Sequence, residues 1–274
     1  MIFSSLGKTF SLSSETLIMG ILNITPDSFS DGGKFTSVDL ALKHAKLLVE
    51  QGAHIIDIGG QSTRPGHCEV DLNTELNRVI PIIEKISKEL DCIISVDTYR
   101  HEVAEAALKA GAHIINDVWG LQKDNGEMAQ VAAKYNCVVI AMHNQNSKNY
   151  TEDIILSLKK FFKKTFEIAE KNGFNPNKII IDPGIGFGKG YEENIEVLNR
   201  LEELTFIAPL LLGVSKKGFI GKDLNLTPDE RLEGTISVNT LGVTKGAKII
   251  RVHNVLEHKK ALAILDKIVY FKKN

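Results

Sequence analysis

One short phrase returns three times along the chain. It reads Gly52-Ala53-His54-Ile55-Ile56-Asp57, then Gly111-Ala112-His113-Ile114-Ile115-Asn116, then Gly246-Ala247-Lys248-Ile249-Ile250-Arg251. Each copy is a helix stop, a tight turn, a buried β-branched strand and one polar residue at the strand's C-terminal end. The copies belong to a longer alternation. Strand-like runs near 17–22, 54–58, 92–96, 113–116, 137–142, 178–181, 209–214 and 248–252 are separated by helical patterns. These helices cover 37–51, 74–90, 101–110, 126–135, 152–172, 191–203, 229–245 and 255–270. In the fifth, Ile154, Ile155, Leu158, Phe161, Phe162, Phe166 and Ala169 recur at helical spacing. Asp39, Thr74 and Thr151 stand where first-turn or cap residues are expected, and Gly52, Gly111, Gly173 and Gly246 where helices stop.

Apolar strands in strict alternation with helices imply a parallel sheet covered by helices. Eight such units within about 250 residues predict the α/β class and a closed (β/α)8 TIM barrel. An open, doubly wound sheet is the competing arrangement. It calls for a glycine-rich turn after the first strand, where this chain has the polar stretch Asn23-Ile24-Thr25-Pro26-Asp27-Ser28-Phe29-Ser30-Asp31-Gly32-Gly33. No linker or low-complexity segment divides the sequence. The expectation is one domain over 1–274, with a lead-in over 1–16. The two long loops at 23–35 and 59–72 have few apolar anchors and are expected to be mobile.

Charge and cysteine content narrow the function classes. Lys and Arg number 33 against 34 Asp and Glu, and no basic block occurs, which argues against nucleic acid or a membrane surface as the main partner. Cys68, Cys92 and Cys137 lie far apart with no Cys-x-x-Cys, the pattern of a reducing compartment rather than a disulfide frame. Nothing resembles a signal peptide and no apolar run approaches 18 residues, so a cytoplasmic location is expected.

In barrels of this kind the chemistry sits at the C-terminal ends of the strands. That ring reads Asn23, Asp57, Asp97, Asn116, His143, Asp182, Lys216, Lys217, Arg251 and His253. Any one of them is compatible with a strand-end cap, and Asp57 is read as a tie to neighbouring backbone. As a set they suggest two zones. Arg251 and His253, two apart on an extended segment, join the lysines after the seventh strand, where these barrels often bind phosphate. Opposite them Asp97, Asn116 and Asp182 form an acceptor-rich wall suited to a flat heterocycle with amino and ring N–H groups. Asp182 also has the simpler role of capping Pro183-Gly184-Ile185-Gly186. The run Gly184-x-Gly186-x-Gly188-Lys189 misses the spacing of a phosphate loop. It is read as a backbone wall against a flat ligand, with Phe187 in contact. Thr63-Arg64-Pro65-Gly66 places an arginine on a stiff turn within reach of an anion.

With these residues in place, the motifs form a known series. Met19-Gly20-Ile21-Leu22-Asn23-Ile24-Thr25-Pro26-Asp27-Ser28-Phe29-Ser30-Asp31-Gly32-Gly33 closely resembles the first motif of the dihydropteroate synthases. Asp57-Ile58-Gly59-Gly60-Gln61-Ser62-Thr63-Arg64-Pro65-Gly66 resembles their second. Ser95-Val96-Asp97-Thr98, Ile115-Asn116-Asp117, Met142-His143, Ile181 to Lys189, Gly213-Val214-Ser215-Lys216-Lys217 and Arg251-Val252-His253 follow in order. The resemblance runs from about residue 17 to the C-terminus.

The resemblance implies a barrel transferase of folate biosynthesis and a sulfonamide target. Such an enzyme joins 6-hydroxymethyl-7,8-dihydropterin pyrophosphate to p-aminobenzoate and releases pyrophosphate, with Mg2+ as cofactor. It further implies that Thr63, Asp97, Asn116, Met142, Asp182, Phe187, Lys217, Arg251 and His253 bind the pterin pyrophosphate. Asn23 would meet the metal, and Phe29, Pro65, Ser215 and Lys216 would meet p-aminobenzoate. Asp31, Arg64 and Lys217 would act in catalysis, and the chain would form a homodimer through late helices. Two positions depart from the pattern: Gln61 stands where many relatives carry glutamate, and Lys216 where arginine is usual. Lysine lacks the planar face that stacks on an aryl ring. A pterin-binding methyltransferase acting on methyltetrahydrofolate is the alternative enzyme. A non-catalytic pterin-binding paralogue is the alternative outside enzymes.

Overall fold

The computed structural model describes residues 1–24, 37–61 and 69–271. It opens with an antiparallel hairpin of β1 (Ile2–Ser5) and β2 (Lys8–Ser11). Strand and helix then alternate: β3 (Leu17–Asn23), α1 (Ser37–Glu50), β4 (Ile55–Gly59), α2 (Leu72–Glu89), β5 (Ile93–Asp97), α3 (His101–Ala110), β6 (Ile114–Asp117) and α4 (Glu127–Tyr135). The second half continues with β7 (Val138–Met142), α5 (Ile154–Lys171), β8 (Ile179–Asp182), α6 (Tyr191–Asn199), β9 (Leu211–Leu212), α7 (Leu232–Thr244), β10 (Ile249–Val252) and α8 (Val255–Val269). The eight later strands pair in parallel in the order β8-β7-β6-β5-β4-β3-β10-β9. Ile181 bridges Leu210 and donates its N–H to the Pro209 carbonyl at 2.9 Å, which draws β8 toward β9 and nearly closes the ring. The expected (β/α)8 barrel is therefore the observed one.

The repeated phrase has a structural task. His54 donates its N–H to the Ile18 carbonyl and accepts the Ile18 N–H on Nδ1 at 2.9 Å. His113 does the same with Ile94, at 2.8 and 3.0 Å. A ring nitrogen that accepts must be unprotonated, and burial lowers the pKa of both histidines. The two histidine copies thus stitch the start of their strands to the preceding one. The glycines before them hold φ of 102° and 114°, a region closed to most side chains.

Side chains alternate along each strand. Ile18, Ile56, Ile115, Ile181 and Ile250 point outward under the helices, while Leu17, Met19, Ile55, Ile114, Ile140, Ile180 and Ile249 fill the barrel. Burial on both faces is why these strands read as unbroken apolar runs. Two residues beyond the inner isoleucines stand Asp57, Asn116, Met142, Asp182 and Arg251, so their side chains also point inward, one layer higher.

Three elements differ from expectation. The lead-in is a plug: Phe3 and Phe10 stack at 5.4 Å and pack, with Leu12, into the barrel's lower layer. Ser5 Oγ ties it down by donating to the His113 carbonyl and accepting the Val138 N–H. The seventh barrel strand contracts from 209–214 to Leu211–Leu212 because Pro209 has no N–H and the chain leaves the sheet at Gly213. The helix expected over 191–203 ends at Asn199 and continues as a separate 3-10 turn, Leu201–Leu204. Thr74 lies in the first turn of α2, where the cap is Asp71, which accepts the Thr74 N–H at 2.9 Å; Asp153 caps α5. Among the described residues no helix is long and apolar enough to cross a membrane.

Candidate active site at the barrel mouth

The last residues of the three repeats meet. Asp57 is fully buried, and its Oδ2 accepts from Arg251 Nε at 2.6 Å and from Asn116 Nδ2 at 3.1 Å. Arg251 Nη2 continues to Asp97 Oδ2 at 2.7 Å. One guanidinium is thus shared by two carboxylates. Their remaining oxygens, Asp57 Oδ1 and Asp97 Oδ1, are buried with no donor among the described residues. Burial pushes the Asp97 carboxyl up to about 7; Arg251 opposes this, and Asp57, Glu75 and Asp117 add to it. The division into an anion zone and an opposing acceptor wall is corrected here. β10 lies beside β3, and β3 beside β4, so Arg251 reaches directly into the acceptor wall. Asp57, read as a backbone tie, is the centre of that wall.

Asp182 stands on the next side of the mouth. Its Oδ1 accepts the Gly184 N–H at 2.7 Å, so the capping role is real, while Oδ2 lies against Gly213. A Cβ at Gly213 would sit 3.6 Å from that oxygen, an ordinary contact distance. Burial raises the Asp182 pKa, against Lys217, the Gly184 N–H, Arg251 and Lys189, which lower it. Lys217 donates to the Ile185 carbonyl and holds Nζ 4.6 Å from the centre of the Phe187 ring. Met142 ends β7, buried beside this group. The result is a slot with carboxylates at its edge, an aromatic ring and thioether on its walls and an ammonium above the ring.

The anion side is built differently. The Ser215 hydroxyl accepts the His253 backbone N–H at 3.2 Å and lies 2.9 Å from His253 Nδ1, so it holds the imidazole by that nitrogen. Ser215, assigned to p-aminobenzoate, therefore orients His253. Lys216 has a left-handed backbone with φ of 58°, and its Nζ pairs with Asp229 at 2.7 Å. Asp229 is largely exposed, so the pair is weak and Lys216 is easily redirected. Asn23 ends β3, exposed and across from Gly59. Phe29, Asp31, Thr63, Arg64 and Pro65 lie outside the described residues.

Two supports escaped the sequence reading. Glu75, fully buried on α2, accepts from Thr98 Oγ1 at 2.7 Å and Arg100 Nη1 at 2.5 Å. Arg100 also holds the Val70 carbonyl, and Arg78 the Gly60 carbonyl, at the two feet of the second long loop. On a helical pattern Glu75 looks like any surface acid, and no local signal marks it. Asp57 was signalled, because it ends a repeat whose other copies end in Asn116 and Arg251.

Comparison with known proteins agrees with this geometry. The model of the pterin binding enzyme family matches residues 19–253. The chain is 49% identical over 267 residues to a dihydropteroate synthase of Clostridium beijerinckii, covering 96% of this chain and 97% of that one. It is 49% identical to the Bacillus subtilis dihydropteroate synthase, with 94% and 90% covered. A crystal structure of the Clostridium difficile dihydropteroate synthase in the presence of pteroic acid superposes with a TM-score of 0.92 at 54% identity, covering 96% of this chain and 100% of that one. The Xanthomonas albilineans dihydropteroate synthase with 4-aminobenzoic acid gives a TM-score of 0.92 at 36% identity, with 97% of each chain covered.

Proposed function

We propose a division of labour at this mouth from the premise that the chain belongs to the pterin-binding enzyme family and, within it, to the dihydropteroate synthases. The reaction joins 6-hydroxymethyl-7,8-dihydropterin pyrophosphate to p-aminobenzoate, giving 7,8-dihydropteroate and pyrophosphate. The observation that carries the assignment of residues is the layer of buried carboxylates Asp57, Asp97 and Asp182, in which Asp57 Oδ1 and Asp97 Oδ1 have no donor among the described residues. A dihydropterin offers an amino group and ring N–H groups along one edge, and such acceptors suit them. Asp182 Oδ2, Asp97 and Asn116 take that edge. Phe187 and Met142 cover the ring, and Lys217 holds the ring's carbonyl side.

His253, held by Ser215, meets the pyrophosphate, and Arg251 supplies positive charge beneath it. In the reaction the methylene C–O bond breaks and its electron pair leaves with pyrophosphate. The lone pair of the arylamine then forms the new C–N bond, and the resulting ammonium loses its proton to solvent. The electron-rich dihydropterin stabilises the cationic methylene, and the cationic side chains stabilise the charge growing on the leaving group. Asp31, Phe29, Thr63, Arg64 and Pro65 enter this scheme by sequence position alone.

Among the described residues no cluster of three acids, histidines or cysteines forms a metal cage. Mg2+ keeps several waters and takes one or two protein oxygens, so an amide oxygen beside the diphosphate would suffice to hold it. Asn23, exposed at the end of β3, provides one such amide oxygen. When bound there, the ion would neutralise charge on the departing pyrophosphate. A homodimer through α7 and α8 is supported by their exposed apolar residues. Leu241, Leu256, Ile264, Ile268 and Phe271 all face solvent, while α7 turns Thr235 and Asn239 inward.

Incubating the protein with the pterin pyrophosphate, p-aminobenzoate and Mg2+ tests the scheme. Stoichiometric dihydropteroate and pyrophosphate are expected. Pyrophosphate release without the condensed product would refute it.

A further inference from the structure

Lys189 closes the glycine run that looks like a phosphate loop, and the scheme above gives it no task. Its side chain does not reach for a phosphate: the residue is only 3% exposed. Nζ lies 3.1 Å from the Gly184 carbonyl, 3.1 Å from the Phe187 carbonyl and 2.7 Å from His143 Nδ1. Burial pushes the Lys189 pKa well below the ordinary ammonium value, against Asp182, which favours the charged form; in that form Nζ has one acceptor for each of its three N–H donors. His143 accepts only as neutral imidazole, and burial together with the adjacent Lys189 charge holds its pKa well below the ordinary value.

The two carbonyls bracket a turn whose Gly184, Gly186 and Gly188 hold φ of 67°, 82° and 55°. A Cβ at Gly184 would lie 1.9 Å from the His143 carbonyl oxygen, so the loop and the end of β7 are in close contact. Asn194 Oδ1 fastens the Gly186 N–H from behind at 2.6 Å. Gly184 is gripped from both sides, its N–H by Asp182 and its carbonyl by Lys189.

We propose that Lys189 is a positioning residue of the pterin site: a buried amine whose three contacts fix the Gly184–Gly188 loop and, through Gly184 and Phe187, the Asp182 carboxylate and the aromatic wall. This rests on the pterin-binding role given above. Lys189 also acts on Asp182 by charge. The cations facing that carboxylate are Lys217, Arg251 and Lys189, and each favours its ionised form.

Lys189→Met keeps the length of the side chain and removes both charge and donors. In this variant the KM for the pterin pyrophosphate should rise at least about tenfold, while that for p-aminobenzoate moves less than about twofold. With one cation gone Asp182 ionises at higher pH. The rising limb of the variant's pH profile of kcat/KM for the pterin substrate should therefore lie at higher pH than the parent's. Lys189→Gln restores N–H donors without charge and should recover part of the KM but none of the pH change. Should the methionine variant fold poorly, the glutamine variant carries the test. Hydrogen exchange at the Gly186 and Phe187 amides then reads the loop directly. Unchanged pterin KM and pH profile in a folded variant, or a loss confined to thermal stability, overturns the proposal. A parent enzyme that forms no dihydropteroate would instead overturn the reading on which it rests, and the parent is measured alongside.

Discussion

Asp182 combines two tasks in one carboxylate, and a substitution separates them. Asparagine can still accept the Gly184 N–H on Oδ1, but it presents an amide N–H2 where Oδ2 stood. Asp182→Asn is expected to weaken pterin binding by about 2–3 kcal/mol and leave folding nearly unchanged. Calorimetry of pterin binding checks this, and equal affinity would remove Asp182 from the site. Asp97 gives a pH signature. Its carboxyl is pushed up to about 7 in the fold by burial, against about 3.9 in an unfolded chain. Between those values the folded protein holds a proton that the unfolded chain has released. The stabilisation from this group is complete at low pH and is lost as pH rises through about 7. The ligand-free parent should therefore lose on the order of 2 kcal/mol more stability than Asp97→Asn between about pH 5 and 8. Urea unfolding of both proteins across that range decides it, and parallel curves would mean Asp97 is ionised throughout.

The hairpin β1–β2 and the strand-end residues occupy opposite ends of one barrel. Phe10 is buried with Phe3 against Ile55, Ile114 and Ile180, whereas Asp57, Asn116 and Asp182 lie two residues further up the same strands. In this architecture the lower face carries stability and the upper face chemistry. Phe10→Ala should cost about 3 kcal/mol of folding free energy through the cavity it leaves. Both Michaelis constants should stay at their parent values under conditions where the variant is folded. A large change in either one would show that the plug shapes the mouth through the barrel core.

At the scale of the whole molecule, the proposed dimer rests on the outward apolar residues of α7 and α8. Ile264 and Ile268 are 61% and 67% exposed, four residues apart on one helical face, and Phe271 continues it. A twofold pairing through this face would bury them against a second copy. The parent should sediment as a dimer, and Ile264→Asp with Ile268→Asp as a folded monomer. Activity per chain of that monomer is measured alongside. A parent that sediments as a monomer at micromolar concentration would refute the pairing.

Local patterns were enough to determine the alternation of strands and helices, the parallel barrel, and the ring of residues at its mouth. Periodicity reports which face of an element is buried, and the strand period carries Asp57, Asn116, Asp182 and Arg251 to one interior layer. The motifs of the first, second and later loops identified the family for the same reason: they are contiguous in sequence. What the sequence did not contain was partnership across the barrel. That Arg251 sits between Asp57 and Asp97, that Ser215 serves His253, and that Lys189 turns inward to three acceptors depend on distances between strands far apart in the chain. The lead-in looked like a tail because a two-stranded hairpin has too little core of its own, and only the open bottom of the barrel gives Phe3 and Phe10 a place to be buried. Residue type and spacing decide which groups reach the mouth; the geometry of ring closure decides which of them are already engaged there and which oxygens are left to accept a substrate.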